Sequence, residues 1–199
     1  MAAGERIPPL IKGEAVWQFV RWYITNWNEA RLASFVREIP PELGAAFDLQ
    51  APHLGVIASS WYPARAVHAL IDRMLEGYSE EQRVAFARQA ARVTIEASLK
   101  GVYRFLFETM MTPTRYANRS QTLFSRYYNT GTMTKTPLGP RSHLTVVSGW
   151  TGHHPVLCDV LLYIGEAIYP YLGCRNVAVR RLECVSSGAE MCRYKVSWE

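Results

Sequence analysis

The hydrophobic pattern of this chain changes its period once, near Gly131. Before that point, apolar residues recur every three to four positions, as they do on the buried face of a helix. After it come two β-branched stretches, an apolar helical stretch and two more alternating stretches, which predict the order ββαββ. A helical part followed by this second part indicates an α+β fold with an antiparallel sheet.

Five helices are predicted before Gly131, and one of them has a clear start signal. Ser79 and Gln82 form a capping box, since each side chain can satisfy a free backbone N–H of the first turn. The helix that they open is predicted to run to Met111. The other four are predicted at residues 14–27, 29–37, from near Pro63 to Gly77, and 115–128.

The pattern contains no repeat and no low-complexity linker, which favours one domain. Residues 1–12 are predicted to be an N-terminal tail, and residues 13–199 a single α+β domain. Its helical part covers 13–128 and its sheet part 131–198.

Composition narrows the classes of function. With 199 residues and 49% hydrophobic content, the chain can bury one ordinary core. Its formal charge of +5 comes from scattered basic residues, which indicates solvated faces rather than a nucleic-acid surface. No secretory signal and no membrane span is recognisable. We therefore expect a cytoplasmic protein whose cysteines are thiols or metal ligands.

No motif for catalysis is present. The sequence lacks GxSxG, a phosphate-binding loop and a dinucleotide-binding glycine pattern. Ser148 is close in sequence to His153 and His154, but a strand-to-helix connection ending at Pro155 accounts for this spacing. The chain is therefore not expected to be an enzyme.

The segment CVSSGAEMC leaves three interpretations open: a metal site, a disulfide, or two small core residues. Strands flank its turn, so Cys184 and Cys192 are predicted to share the buried face of an antiparallel pair. Opposed Cβ atoms in such a pair are about 5 Å apart, close enough for both sulfurs to contact one ion. A structural zinc takes four ligands. Further candidates in the sequence are Cys158, Cys174, His153, His154, Glu183 and Glu190.

The C-terminal half resembles the 4-vinyl reductase domain family. The resemblance rests on Cys158, a helix ending in YPYLG, and the segment RRLECVSSGAEMCRYKVSW, and it covers roughly residues 60–199. It implies a fold shared with ligand-binding domains of nitric-oxide signalling proteins and with subunits of the Golgi transport particle TRAPP. Over nearly its whole length, including IKGEAVW, SSWYP and LFSRYYNTG, the chain is similar to an uncharacterised paralogous family abundant in myxobacteria.

This resemblance implies a zinc site. In phenol-responsive relatives, zinc is held by a helix cysteine, a strand glutamate and two cysteines that flank a hairpin turn, and the three cysteines match Cys158, Cys184 and Cys192. The glutamate would stand three residues before Cys184, where this chain has Arg181, which cannot bind a cation. Either Cys174 or a histidine substitutes for it, or the thiols pack without metal. Zinc would have a structural role.

Haem is the other cofactor of the implied fold, and the sequence does not predict it. The Tyr-x-Ser-x-Arg signature for the haem propionates is absent, because YANRS at Tyr116 has serine and arginine in other places. His68 lies in an amphipathic pattern with Val67 and Ile71, where a lone histidine is typical of ordinary packing. We therefore expect no haem.

The resemblance also implies a pocket between the helices and the sheet. Its expected lining is Trp61, Tyr62, Tyr103, Phe107, Met110, Phe124 and Tyr127. These residues indicate a non-catalytic sensor or adaptor domain of bacterial signalling, which binds an apolar or aromatic molecule or an acyl chain. The alternative is a protein–protein interaction or dimerisation module of the TRAPP type with a filled interior and no ligand. Either role implies a protein partner, and a homodimer is expected.

Overall fold

The computed structural model describes residues 7–199, except for the side chain of Tyr103. The helices are α1 (Gly13–Asn26), α2 (Glu29–Glu38), α3 (Pro41–Gly44), α4 (Ala64–Met74), α5 (Glu80–Ser98), α6 (Val102–Met110), α7 (Pro113–Asn118), α8 (Ser120–Tyr127) and α9 (Pro155–Ile168). The strands are β1 (Leu10–Lys12), β2 (Trp61–Pro63), β3 (Thr132–Gly139), β4 (Ser142–Ser148), β5 (Ala178–Glu183) and β6 (Cys192–Ser197). Short 3-10 turns cover Pro52–Gly55, Tyr169–Leu172 and Val185–Ser187.

The main sheet has four antiparallel strands in the order β3, β4, β6, β5. Residues of β4 and β6 alternate between buried and half-buried, so one face of the sheet packs on the core. β1 and β2 form a separate two-stranded ribbon beside the helices. The predicted class, α+β with an antiparallel sheet, is confirmed.

Helix α9 lies at the centre of the core, between α5 on one side and strands β5 and β6 on the other. Its buried residues recur at helical spacing and include Leu157 and Leu161. Gly165 allows the helix to approach the sheet closely, because an added Cβ would lie 3.1 Å from Cγ2 of Val196. Side chains of α9 therefore reach both the helical layer and the sheet.

Among the described residues, one stretch is long and apolar enough to pass a length test for a membrane span. It is Pro155–Leu172, with a mean hydropathy of 1.2, and it comprises α9 and the turn that follows. Because 56% of it is buried inside the protein, its apolar character matches that of a core helix.

The predicted capping box is present at the start of α5. The Ser79 hydroxyl accepts a hydrogen bond from the Gln82 backbone N–H, and the Gln82 side chain accepts one from the Ser79 N–H. The prediction that this helix continues to Met111 is wrong. Gly101 adopts a φ of +54°, which an α-helix cannot contain, and the chain turns there to begin α6.

The sequence predicts residues 10–12 as part of the N-terminal tail and residues 61–63 as the segment that leads into a helix. The structure differs at both places. The two segments pair as β1 and β2, with Ile11 buried opposite Tyr62. Each segment is only three residues long, so its alternation is too short to be recognised in the sequence. The predicted helix at 115–128 is likewise two helices, α7 and α8, which meet at Arg119.

Candidate metal centre and ligand cavity

Three of the predicted cysteines converge on one buried point. The Cys184 sulfur lies 3.5 Å from the sulfur of Cys158 and 3.6 Å from that of Cys192. It also lies 3.6 Å from Nε2 of His153. The four ligand atoms are all within 4.8 Å of one another. We call these four residues the Cys3His cluster.

The connection from β4 to α9 positions two members of the cluster. His154 caps α9 by accepting a hydrogen bond from the Val156 N–H, so Cys158 falls in the first turn of the helix. His153 stands just before this cap and packs edge-to-face on Trp150, with ring centroids 5.5 Å apart. The start of one helix thus supplies a sulfur and a ring nitrogen to the same point.

The connection from β5 to β6 positions the other two. The register of β5 against β6 shifts between Arg181 and Glu183, and the chain leaves β5 at Cys184. The Cys184 carbonyl accepts hydrogen bonds from the N–H groups of Ser187 and Ala189, which close the turn. Cys192 then opens β6 on the buried face, next to Cys184.

The cluster favours a thiolate at Cys192. A hydrogen bond from the Cys158 thiol, assisted by His153, lowers the pKa of Cys192. The hydrogen bond to Cys192, together with burial, raises the pKa of Cys158. Thiolate and neutral imidazole are the forms that bind a metal ion.

The donor set fits a structural zinc ion. A tetrahedral ion with Zn–S bonds of about 2.3 Å places its sulfurs about 3.8 Å apart, close to the separations from Cys184. The three cysteines are at most 2% exposed, so four protein ligands enclose the site. A closed set of four such ligands is typical of a structural centre rather than a catalytic one.

Arg181 and Cys174 have other positions in the fold. Arg181 donates to Asp159, the residue after Cys158 on α9, and thus ties β5 to the helix. Cys174 is buried at the approach to β5 but is not one of the four clustered residues. Cys174, predicted as a further ligand, thus lies apart from the other three cysteines, and His153 is the fourth clustered residue.

A cavity of about 330 Å³ lies between the helices and the sheet. Helices α5, α8 and α9 contribute apolar side chains to it, and β3 and β6 contribute Met133, Lys135 and Tyr194. Of the residues predicted from the sequence, Phe107, Phe124 and Tyr127 line this cavity. Its volume is at the small end of the about 300–1,000 Å³ that is typical of ligand sites.

Three other predicted lining residues lie elsewhere. Trp61 is 39% exposed on β2, whereas Tyr62 is buried and its hydroxyl accepts a hydrogen bond from the Ile57 N–H. Met110 is 60% exposed and lies beside a surface groove between α6 and α7. The β1–β2 ribbon and the break at Gly101 move these side chains away from the cavity. Tyr103 was also predicted, and its side chain lies outside the described residues.

The cavity and the Cys3His cluster share two structural elements. Cys192 and Tyr194 are two residues apart on the buried face of β6. On α9, Cys158 stands three residues before Leu161, which lines the cavity. The two sites are therefore built on the same helix and the same strand.

The fold is that of H-NOX domains. A point mutant of the T. tengcongensis H-NOX superposes with a TM-score of 0.66 and 8% identity, over 95% of this chain and 98% of that one. An S. oneidensis H-NOX protein in the Fe(II)NO state has a TM-score of 0.64 and 9% identity, over 95% and 99%. An oxygen-binding H-NOX domain related to soluble guanylate cyclases has a TM-score of 0.64 and 8% identity, over 95% of each chain.

These likenesses agree with the expectation of a fold shared with nitric-oxide signalling domains, and at such low identity they show the fold alone. No family model matches the sequence, and no curated protein matches it either.

The expectation of no haem is contradicted by these comparisons. Structures with this fold include one that probes haem distortion in the H-NOX family and one with an Fe(II)NO centre. A chain can therefore share this fold without the Tyr-x-Ser-x-Arg signature, and the missing signature alone does not exclude haem.

The described lining of the cavity shows which haem ligands this chain offers. It contains no histidine: His68, for example, contacts the Gly152 carbonyl at 3.1 Å, outside the cavity. The lining does not fit a histidine-ligated haem. It does include tyrosines and Met133, and both residue types are axial ligands in other haem proteins.

Proposed function

We propose that this chain is a non-catalytic sensor or adaptor domain of the 4-vinyl reductase type in bacterial signalling. It binds a small apolar or aromatic molecule between the helices and the sheet. The observation that carries this proposal is the 330 Å³ cavity, whose walls come from both layers of the fold. A molecule that contacts both layers favours one of their relative positions, and a protein partner can read that position.

The Cys3His cluster has a structural role in this proposal. Zinc held by Cys158, Cys184, Cys192 and His153 fastens the start of α9 to the β5–β6 connection. The three cysteines need a reducing compartment to stay available as thiols, which matches a cytoplasmic domain.

Filling the cavity with a larger side chain tests whether a ligand binds there. Ile164 lies on α9 and lines the cavity, so Ile164→Trp puts a bulkier, aromatic side chain in the space that a ligand would occupy. We expect 1-octanol, an uncharged apolar probe, to bind the unmodified protein in calorimetric titration and to bind Ile164→Trp at least about tenfold more weakly.

Leu138→Trp is the matched control, because Leu138 is 54% exposed at the end of β3. This variant should bind 1-octanol as the unmodified protein does. Failure of the unmodified protein to bind, or equal binding by all three proteins, would overturn the proposed ligand site.

The alternative, an interaction module with no ligand, is favoured by one observation. Helix α6 exposes Val102, Phe105 and Met110 by 70%, 64% and 60%. Exposed apolar patches of this kind are typical of protein–protein contacts. A dimer that resists dilution, is disrupted by Phe105→Asp but not by Leu182→Asp on β5, and binds no 1-octanol would support the alternative.

A further inference from the structure

A half-buried lysine amine lines the cavity. Lys135 and Met133 lie on the same face of β3, and both line the cavity. The Lys135 amine donates a hydrogen bond to the Thr145 hydroxyl at 2.8 Å. An ammonium has three N–H donors, so this bond leaves donors free to contact a ligand.

Aromatic rings flank the amine. Nζ of Lys135 is 5.5 Å from the ring centroid of Tyr116 and 5.7 Å from that of Tyr194. These faces stabilise a cation weakly. Within residues 7–199, no carboxylate forms an ion pair with Lys135. Burial without a counter-ion lowers the pKa of Lys135 to about 7.

The Tyr194 hydroxyl lies in the same region and lacks a partner. The residue is 2% exposed and lines the cavity, yet its hydroxyl forms no hydrogen bond with any described residue. A buried hydroxyl without a partner destabilises the folded state, because it has lost its hydrogen bonds to water. A polar atom of a ligand would remove this cost.

We infer that the ligand is a carboxylic acid with an apolar body. Its carboxylate oxygens accept hydrogen bonds from the Lys135 ammonium and the Tyr194 hydroxyl, and its body lies against the apolar side chains of α8 and α9. This inference rests on the proposed function and adds the chemical class of the ligand.

The rest of the lining supports the apolar body. Phe124 on α8 and Leu161, Ile164 and Ile168 on α9 are apolar residues that line the cavity. Other charged lining residues, Glu14 and Arg126, pair with each other at 3.1 Å, and the Arg126 side chain is 63% exposed. The charges of Glu14 and Arg126 therefore compensate each other, whereas the half-buried Lys135 amine has no such partner.

Matched probes test the inference. Octanoate and 1-octanol have the same chain length and differ in charge, so their calorimetric titration separates recognition of the head group from recognition of the body. We expect the unmodified protein to bind octanoate at least about tenfold more tightly than 1-octanol, because hydrogen bonds to a charged group are strong.

Two variants test which side chains cause the preference for octanoate. Lys135→Met should weaken octanoate binding by about tenfold or more and change 1-octanol binding by less than about twofold. Tyr194→Phe, which keeps the ring, should weaken octanoate binding by a smaller factor of about three to ten.

The possible outcomes separate the proposal of a ligand site from the inference that the ligand is a carboxylic acid. Binding of 1-octanol with no preference for octanoate, or an octanoate affinity unchanged in Lys135→Met, would overturn the acid ligand and leave the cavity as a ligand site. No binding of either probe to the folded, unmodified protein would overturn both.

Discussion

Replacing Cys184 with serine is expected to release zinc and to lower the free energy of unfolding by at least about 3 kcal/mol. The Cys184 sulfur contacts all three other ligands of the Cys3His cluster, so its loss opens the site. The centre joins the start of α9 to the β5–β6 connection, and metal binding adds to folding stability when the unfolded chain holds no preformed site. Elemental analysis should find one zinc per unmodified chain and nearly none in the variant, and urea unfolding measures the stability.

Cys174→Ser is the matched control. Cys174 is a buried thiol, at 7% exposure, yet it lies outside the cluster. This variant should keep its zinc and lose only about 1 kcal/mol from poorer packing. An unmodified protein that contains no metal and whose unfolding is insensitive to a chelator would show that the thiols simply pack together.

Lys135→Met is expected to make the protein more stable at neutral pH and to remove a pH dependence. The pKa of Lys135 falls from 10.5 to about 7 on folding because of burial. Between these values the unfolded chain binds the proton more tightly, so the stability of the unmodified protein rises with pH from about 7 to 10.5. Below about pH 7 the full cost of burying the charge is present.

The groups that face Lys135 stay neutral over this range. Burial raises the pKa of Tyr116 and Tyr194, so both remain protonated, and it lowers the pKa of His143, the nearby imidazole on β4. The difference between the two proteins therefore reports Lys135. Because the side chain is only partly buried, we expect a gain of about 2 kcal/mol at pH 7 that disappears near pH 10.

Urea unfolding at pH 6, 7.5 and 9 checks this expectation. Thr136→Met is the control, since Thr136 lies on the exposed face of the same strand. Its stability should run parallel to that of the unmodified protein. If the free energy of unfolding of Lys135→Met also changes with pH in parallel with that of the unmodified protein, the cavity does not hold an uncompensated ammonium.

The sequence predicts those parts of the fold that have strong local signals. The Ser79–Gln82 capping box, the alternation in β4 and β6, and the apolar periodicity of α9 all have their expected conformations. The sequence does not predict the break at Gly101, because a glycine within an apolar periodic stretch is compatible with a continuous helix, and only its φ of +54° shows the break.

The site was predictable only in part. Spacing and resemblance bring Cys158, Cys184 and Cys192 together, but whether His153 or Cys174 completes the set depends on the path of the β4–α9 connection. Lys135 gave no signal, because in the sequence it is an ordinary lysine in an alternating strand. Its importance depends on α7 and β6, which close over its amine with Tyr116 and Tyr194.

Methyl NMR of methionine-labelled protein can show whether a small apolar molecule enters the cavity. Met133 lines the cavity, Met74 is buried in the core at α4, and Met110 lies beside the surface groove of α6. On titration with 1-octanol we expect the Met133 methyl signal to shift with saturation while those of Met74 and Met110 stay in place. A Met133 signal that does not move, or a shift confined to Met110, would show that 1-octanol does not enter the cavity.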